Sequence, residues 1–473
     1  MKLENITNQL SEAQVKADYE LVIQIQIKLR GLGLYPGGRF IDGDFGSRSR
    51  RGIKDFCDAV GIPFPQYDRT FARQLLDTKY LPSVLGMTNS NREQIFNNIL
   101  SIAQGTKLSD NELAPFLHRG MKNSKYTREI SEYPSRLAKK YHSSDANSTY
   151  NPYPQRGVIP TIDREGLNFL HSDIKEACVC IGNLVNNEMQ ARWLGKNALA
   201  KRQFWSSTKI IPILNVVCDA NTNFPNINIA NCYISNNIYK FTDIILDILT
   251  YQGKLVSSNS AAATLKLFRT PTSLENWVKN ITGNQQLSFR SGYGENPFIR
   301  QPELIDSLSG QKVLDPPFYS LEIDKNYLSA YDLTRIISML GWHWHLPENA
   351  RLPGAQWHSL QSVIIAMGND RARYLEVAIE TLGLENAIAS PVIISKLGNG
   401  YSDSRDTNEI TYVALTQFLD ERNIDNNQDS KFRTLAMTLR ASVQPSQSFV
   451  ELDARIAAEV TEIIRRVIMD QLI

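Results

Sequence analysis

The apolar positions in the middle of the chain predict a β-hairpin followed by a buried helix. Two apolar runs, 174–183 and 189–195, flank a short turn-rich segment, as expected for two antiparallel strands. Behind them the segment 210–217 is apolar on nearly every side, which is typical of a helix inside a core. The chain is therefore expected to pass from a hairpin into a buried helix.

The last part of the chain predicts more strands and a terminal helix. Runs rich in β-branched residues lie near 390–397, 409–417 and 432–442, and a polar loop separates the first two. From about 448 to 472 the apolar residues recur at helical spacing. A sheet that ends in three neighbouring strands and a long helix follows from this pattern.

The N-terminal part has a different pattern. Residues 20–78 predict helix, glycine-rich turn and helix, with Asp42-Gly43 in a tight loop that needs a positive φ. Helical segments near 91–104 and 111–121 follow, and then a polar, proline-containing linker at 143–154.

A chain of 473 residues has room for two or three domains. We predict a multidomain protein with a small helical bundle at 18–80, a helical region and linker at 81–160, and a larger domain at 161–473.

Three short strings carry the candidate chemistry. Ser206 and Lys209 form an S-x-x-K string, Ser257-Ser258-Asn259 an S-x-N string, and Lys396-Leu397-Gly398 a K-x-G string. Together they supply hydroxyls, an amide and two amines, which is what a serine acyl-transfer site needs. Each string alone is weak, since serine, lysine, asparagine and glycine are common.

Local context decides between these strings and their duplicates. A second S-x-x-K at Ser309 lies in a turn, a third at Ser172 enters a β-branched run, and the string Ser109-Asp110-Asn111 lies upstream. Ser206 instead stands at the start of the buried helix, where Lys209 lies one turn further on the same face. The alternative is that Ser206 only caps this helix and Lys209 is solvated.

In motif order and in the surrounding elements, the region from about 165 to 473 resembles the penicillin-recognising serine enzymes. This superfamily comprises the serine β-lactamases and the penicillin-binding D,D-peptidases. The resemblance implies an α/β (α+β) domain with an antiparallel sheet flanked by helices, an acyl-enzyme mechanism and no cofactor. The implied substrates are D-Ala-D-Ala-like peptides of peptidoglycan or muropeptides, and possible β-lactams.

The resemblance also implies residue roles. Ser206 would be the nucleophile and Lys209 its proton acceptor, while Ser257 would pass a proton to the leaving nitrogen. Asn259 would hold the substrate's amide, and Lys396, in the string ending at Gly398, would face the substrate carboxylate. The backbone N–H of Ser206 would supply half of the oxyanion hole.

Two departures from the superfamily affect the expected chemistry. Leu397 stands where a hydroxyl residue is usual, so one substrate contact is missing. Gln301-Pro302-Glu303 is similar to the E-P-E loop of some β-lactamases, but Gln301 stands where the hydrolytic glutamate would be. Without another base, the acyl-enzyme would be long-lived, as in a peptidase or penicillin trap.

The N-terminal segment resembles the peptidoglycan-binding type 1 module. The likeness rests on the helix end at Gly31-Leu32-Gly33 and on the string Asp42-Gly43-Asp44-Phe45-Gly46. It implies targeting to the wall, although the bundle could instead only dock on its neighbour. Cys57 stands where a glutamine is common, which weakens the expectation of ligand binding more than that of the fold.

Composition limits the partners and the compartment. The net charge of +2 and the lack of a long basic run do not favour nucleic acid as a partner. No apolar stretch approaches a membrane span, and the polar start predicts no signal peptide. This conflicts with a cell-wall role, so trimming, another export route or work inside the cytoplasm on imported fragments all stay open.

Cysteines and histidines add no metal site to the prediction. Five cysteines, two of them on one strand face at 178 and 180, fit reduced core residues better than a disulfide framework. His343 and His345 could be ligands on a strand face, but no partner has ligand spacing, and packing is the favoured interpretation. The tryptophan-rich segment 337–385 is expected to line the substrate cleft.

Two classes of function remain open from the sequence. One is a penicillin-recognising serine hydrolase tethered to the wall by its N-terminal module. The other is a non-catalytic wall-binding protein with a decayed enzyme domain. An esterase that uses the same serine and lysine on another ester is a third possibility.

Overall fold

A computed structural model describes residues 1–36, 40–86, 89–104, 124–141, 149–235, 238–251, 253–317, 326–422 and 430–472. The helices in these residues are α1 Glu12–Ala17, α2 Tyr19–Gly31, α3 Ser47–Val60, α4 Arg69–Asp77, α5 Pro82–Leu85, α6 Asn89–Gln104, α7 Tyr133–Ala138, α8 Ile210–Asn223, α9 Phe241–Thr250, α10 Ser258–Lys266, α11 Pro271–Thr282, α12 Ala330–Gly341, α13 Trp357–Gly368, α14 Tyr374–Thr381 and α15 Phe449–Ile468. The strands are β1 Asn151–Pro152, β2 Ile162–Asp163, β3 Ile174–Val185, β4 Glu188–Lys196, β5 Cys232–Ile234, β6 Tyr239–Lys240, β7 Leu304–Asp306, β8 Lys312–Leu314, β9 Ile388–Ser402, β10 Thr407–Asp420 and β11 Lys431–Val443.

A seven-stranded sheet forms the centre of the C-terminal part. Its order is β1-β4-β3-β11-β10-β9, and β2 adds a short parallel pairing to β4 while the other pairings are antiparallel. The predicted hairpin is β3 and β4, and the three later runs are β9, β10 and β11. The observed strands confirm these predictions. Each strand is a β-branched run bounded by turn residues, which is the pattern that favours a strand.

Helices cover both faces of this sheet. On one face α12 packs against β3 and β11, in a core that continues into α8, α9 and α13. On the other face α15 packs against β10 and β11, and α14 and α6 pack on α15. The predicted terminal helix is α15, which starts at a capping box of Ser448 and Glu451. The C-terminal part is therefore an α+β unit with an antiparallel sheet between helical layers.

The N-terminal bundle has a core of its own, and the loop that carries the D-G-x-F-G string closes on one buried side chain. Gln26 is completely buried. Its amide nitrogen has acceptor oxygens of Tyr35, Asp42, Asp44 and Ser49 within hydrogen-bond distance for its two N–H groups, and its oxygen accepts from the backbone of the same loop. A buried amide with every hydrogen bond satisfied fixes the loop conformation.

This bundle docks on the C-terminal part through its glycine turn. Arg30 forms an ion pair with Glu385, in which its Nη2 lies 3.1 and 2.8 Å from the two carboxylate oxygens. A Cβ on Gly33 would lie 2.7 Å from the carbonyl oxygen of Thr381, and one on Gly383 would lie 2.4 Å from that of Leu32. Two glycines with positive φ, 74° and 65°, thus let the backbones approach closely.

The region between these two parts is described only in places. The predicted helix at 91–104 is α6, which packs on α15. The predicted helix at 111–121, the string Ser109-Asp110-Asn111 and residues 143–148 of the linker 143–154 lie outside the described residues. None of the described helices is long and apolar enough to cross a bilayer.

Candidate functional site

Ser206 lies in a short turn of 3-10 helix, Trp205–Lys209, that leads directly into α8. Side chains three residues apart eclipse one another in a 3-10 helix, so Ser206 and Lys209 share a face. Trp205 has a φ of 49°, a left-handed value that is unfavourable for a bulky residue. Its indole Nε1 donates to Glu409 Oε2 at 2.8 Å, and this contact holds the strained residue in place.

The strand β9 presses against this turn at Gly398. A Cβ on Gly398 would lie 2.8 Å from the backbone nitrogen of Ser206 and 2.7 Å from that of Ser207. Ser207 is fully buried, and its Oγ lies 2.8 Å from the Thr411 hydroxyl on β10. The third string thus meets the first because only a glycine leaves room for the turn.

Lys209 is completely buried and has two polar partners from the second string. Its Nζ lies 2.9 Å from Ser258 Oγ and 2.5 Å from Asn259 Oδ1. Burial lowers the pKa of Lys209 to about 7, and the carboxylate of Glu295 opposes this only in part. A neutral amine that donates two hydrogen bonds keeps its lone pair, which is the requirement for a base.

Ser257 occupies a different position from the one that the S-x-N string implies. It is exposed and caps α10, where its Oγ accepts from the backbone N–H of Ser260 at 3.2 Å. Its hydroxyl also donates to Glu295, and Asn259 Nδ2 donates to the same carboxylate at 3.0 Å. The structure therefore brings Ser258, and not Ser257, against Lys209.

Lys396 reaches the site from β9 and is completely buried. Its Nζ lies 3.5 Å from the centroid of the Tyr251 ring and has no hydrogen-bond partner among the described residues. Burial holds the pKa of Lys396 well below its ordinary value; the nearby Asp370 opposes this and the charge of Lys209 adds to it. The expected contact with a substrate carboxylate would need the Tyr251 ring to move aside.

Tyr251 is a site residue that the sequence motifs did not indicate. It follows α9 with a left-handed φ of 55°, and its hydroxyl donates to the backbone carbonyl of Leu397. Burial raises the pKa of Tyr251, while a hydrogen bond with Ser206 works in the opposite direction. Tyr251 thus joins the candidate nucleophile to β9, although nothing in its sequence neighbourhood marks it.

Several other residues that the sequence associated with the site lie away from it. Glu303 pairs with Lys312 at 2.6 Å, and Leu397 is buried in the core on the α15 side of the sheet. Trp342 lies in the core, where its Nε1 donates to Thr434 at 2.8 Å, so the expectation that it lines the cleft is wrong.

The histidines and cysteines also have structural surroundings. His343 and His345 belong to a short 3-10 helix and not to a strand face, and His343 stacks on Trp357. The cysteines at positions 57, 178, 180, 218 and 232 are all buried and unpaired. Within the described part of the chain, no three His, Cys, Asp or Glu side chains are grouped as a metal site requires.

No protein-family model and no curated protein matches the chain, whereas solved structures do. The neighbours include a β-lactamase from Streptosporangium roseum, with 8% identity and a TM-score of 0.37, covering 64% of this chain and 97% of that one. A β-lactamase from Xanthomonas campestris pv. campestris has 11% identity and a TM-score of 0.34, covering 62% of this chain and 91% of that one. A peptidoglycan glycosyltransferase from Burkholderia ambifaria has 10% identity and a TM-score of 0.31, covering 64% of this chain and 96% of that one. At such identities and TM-scores, the likeness assigns no activity and no residue role to this chain.

Proposed function

We propose that the chain is a serine acyl-transfer enzyme in which Ser206 forms an acyl-enzyme with a D-Ala-D-Ala-like peptide or a β-lactam. The supporting observation is Lys209, a buried amine on the same face of the turn as Ser206, with a pKa of about 7. A lysine in this state is a ready base for a serine hydroxyl at neutral pH. A purely structural role would leave the cost of burying this amine unexplained.

The acylation step follows from the contacts of Lys209. The Oγ of Ser206 bonds to the carbonyl carbon, its proton passes to Lys209 Nζ, and the backbone N–H of Ser206 supports the negative charge on the carbonyl oxygen. The bond from carbon to nitrogen then breaks, and the nitrogen takes the proton from Lys209 through Ser258. We assign this relay to Ser258 in place of Ser257 because only Ser258 contacts the amine.

Hydrolysis of the acyl-enzyme needs a base for water, and we propose Glu295. Its carboxylate accepts from Asn259 and from Ser257, so it stands at the open side of the site. The other acidic candidate, Glu303, is engaged by Lys312. In this scheme Asn259 positions the substrate amide, and Gly398 allows β9 to approach the nucleophile.

Lys396 favours a second candidate, an esterase that uses the same serine. The amine is buried beneath Tyr251 and its pKa is lowered, so it offers little positive charge to a substrate carboxylate. Leu397, at the position where a hydroxyl is usual, is buried on the α15 side of the sheet and offers no polar contact to the site. An ester without a carboxylate would be accepted under these conditions, whereas penicillins would bind poorly.

Targeting to peptidoglycan by residues 18–80 is a separate proposal. The glycine turn of the bundle is occupied by its contact with Gly383, and Arg30 by Glu385, so glycan would have to bind elsewhere on the bundle. Sedimentation of the full chain with insoluble peptidoglycan tests this. If the chain stays in the supernatant, the bundle does not bind peptidoglycan and its role is restricted to docking on the C-terminal part.

A fluorescent penicillin tests the enzyme directly. The wild-type chain and the control Ser404→Ala, which changes an exposed serine, should be labelled, and Ser206→Ala should not. Absence of label on all three, together with Ser206-dependent hydrolysis of a p-nitrophenyl ester, would replace the penicillin assignment by the esterase. Inactivity in both assays would overturn the proposed function. If the protein is labelled, its reaction with a chromogenic cephalosporin is measured next. Steady turnover would indicate a lactamase, and a single stoichiometric burst would indicate a peptidase or a penicillin trap.

A further inference from the structure

A cavity of about 490 Å³ opens at one end of the central sheet, apart from the candidate site. The strand β3 begins there, and β4 and β11 end there, so side chains distant in sequence meet at a single edge. The lining residues are Ser172, Ile174, Lys175, Glu176, Lys196, Asn197, Arg202, Arg405, Arg440 and Ser442.

The charges around this cavity are unequal. Three arginines and two lysines line it, together with a single carboxylate, Glu176. Arg440 lies between Glu176 and a second carboxylate, Glu409, with an Nη2 to Oε1 distance of 2.5 Å to the latter. Arg202 shares Glu176, at 2.8 Å, and Arg405 shares Glu409, at 2.7 Å. Three guanidinium groups therefore share two carboxylates, which leaves an excess of positive charge.

The two lysines increase the imbalance. Lys175 Nζ donates to the backbone carbonyl of Ser172 at 2.9 Å, and Lys196 Nζ donates to two further backbone carbonyls, none of which carries a formal charge. Burial lowers the pKa of Lys196; Glu459 and Asp173 oppose this, whereas the positive charge of Lys175 adds to it. The positive charges of the two lysines therefore repel each other, and a negative group in the cavity that both line would relieve this repulsion.

We propose that this cavity binds a small multivalent oxyanion, a phosphate or a phosphate ester. The guanidinium fork and the ammonium group are the usual partners of phosphate oxygens. Arg202 bonds through Nε and Nη1 and Arg405 through Nε and Nη2, so each has one terminal nitrogen for which the described contacts show no acceptor. Ser172 and Ser442 add hydroxyl groups, which are neutral donors, to the lining.

The cavity is connected to the nucleophile through one carboxylate. Glu409 accepts from Arg405, from Arg440 and also from the indole of Trp205, the strained residue that precedes Ser206. An oxyanion that draws Arg405 away would leave Glu409 with fewer donors and would change its hold on Trp205. Occupancy of the cavity is therefore expected to alter the surroundings of the Trp205 indole.

Titration calorimetry with inorganic phosphate tests the site on the full chain at constant ionic strength in chloride. Saturable binding is expected, with a loss of affinity of about tenfold or more in the double variant Lys175→Gln/Arg202→Gln, since each removed contact is charge-assisted. The double variant Arg51→Gln/Lys54→Gln, which removes equal charge from the exposed face of α3, should bind as the wild type does. No saturable binding, or equal loss in both double variants, would overturn the site.

Two further measurements keep the proposal testable if the double variant Lys175→Gln/Arg202→Gln does not fold. The single variant Lys175→Gln changes only an exposed side chain, so a weaker but measurable loss of affinity is expected even if Arg202 is needed for folding. Phosphate should change the tryptophan emission of the wild type and not that of Trp205→Phe. Calorimetric binding with identical emission changes in both proteins would disprove the connection to Trp205. Neither readout depends on the chemistry of Ser206.

Discussion

The two lysines of the candidate site reach it from opposite sides, and only one of them has hydrogen-bond acceptors for its amine. Lys209 comes from the helical side, where Ser258 and Asn259 accept its hydrogen bonds. Lys396 comes from the sheet side, where its amine faces the ring of Tyr251 and no hydrogen-bond partner among the described residues. Both are completely buried, and burial lowers the pKa of each.

This difference separates the roles that the two amines can perform. An amine with organised acceptors has a fixed direction for its lone pair and a path for the proton it receives. The amine of Lys396 gains the attraction of the ring and of the nearby Asp370 for positive charge, which its lowered pKa makes small. We therefore expect Lys209 to carry the chemistry and Lys396 to act on it mainly through Tyr251.

Replacing Lys209 by methionine should have the largest effect. The variant keeps the volume of the side chain and removes the base, so the rate of covalent labelling should fall on the order of 10³-fold. The control Lys254→Met changes an exposed lysine in the loop before α10 and should label at the wild-type rate. A Lys209→Met protein that is folded by circular dichroism and labels within tenfold of the wild type would assign the base elsewhere.

The pH dependence of labelling comes next in size. Protonated Lys209 cannot accept the serine proton, so the rate should rise about tenfold per pH unit up to its pKa of about 7 and then level off. Stopped-flow labelling from about pH 5 to about pH 9 measures this. The unfolded chain holds more protons than the folded one between that pKa and the ordinary 10.5, so stability should also rise with pH there. A rate that is already constant at about pH 5 would point to a carboxylate base.

A pair of neighbouring serines sharpens the comparison on the helical side. Ser258→Ala removes the group next to Lys209 and should lower the labelling rate by roughly thirtyfold. Ser257→Ala removes the cap of α10 and should instead lower the free energy of unfolding by about 1 kcal/mol, with a nearly unchanged rate. The reverse pattern would return the relay to Ser257.

The sequence predicted the frame of this site better than its interior. The strands β3, β4, β9, β10 and β11 and the helix α15 follow from periodicity, which is a local property of the chain. The motif order also placed the S-x-x-K turn beside the K-x-G strand, and Gly398 shows the steric reason for their contact. Local patterns were sufficient for these features.

The positions of the side chains inside the site depend on tertiary contacts and backbone conformations that no local sequence pattern predicts. Ser257 and Ser258 are adjacent in sequence, but one is a helix cap and the other the first helical residue, so they point in different directions. Tyr251 enters the site because a left-handed residue ends α9, and tyrosine is not a residue that this conformation favours. Trp342 was expected to line the cleft as part of a tryptophan-rich segment but lies in the core, whereas His343, for which packing was favoured, does pack against Trp357.

Replacing Lys396 by methionine should have the smallest effect on rate and the opposite effect on stability. The buried amine has no hydrogen bond to lose, and the nearby buried carboxyl of Asp370, whose pKa is raised by burial, can stay protonated without it. An apolar side chain of similar length should therefore raise the free energy of unfolding by about 2 kcal/mol. Because Tyr251 still contacts Ser206, labelling should fall only about tenfold. Chemical denaturation and labelling, measured on the same preparation, give both quantities. Lys209→Met should show no such gain, since Ser258 and Asn259 lose their partner. If Lys396→Met is instead destabilised and as inactive as Lys209→Met, then the sheet-side amine is as deeply engaged as the helical one and the division between them fails.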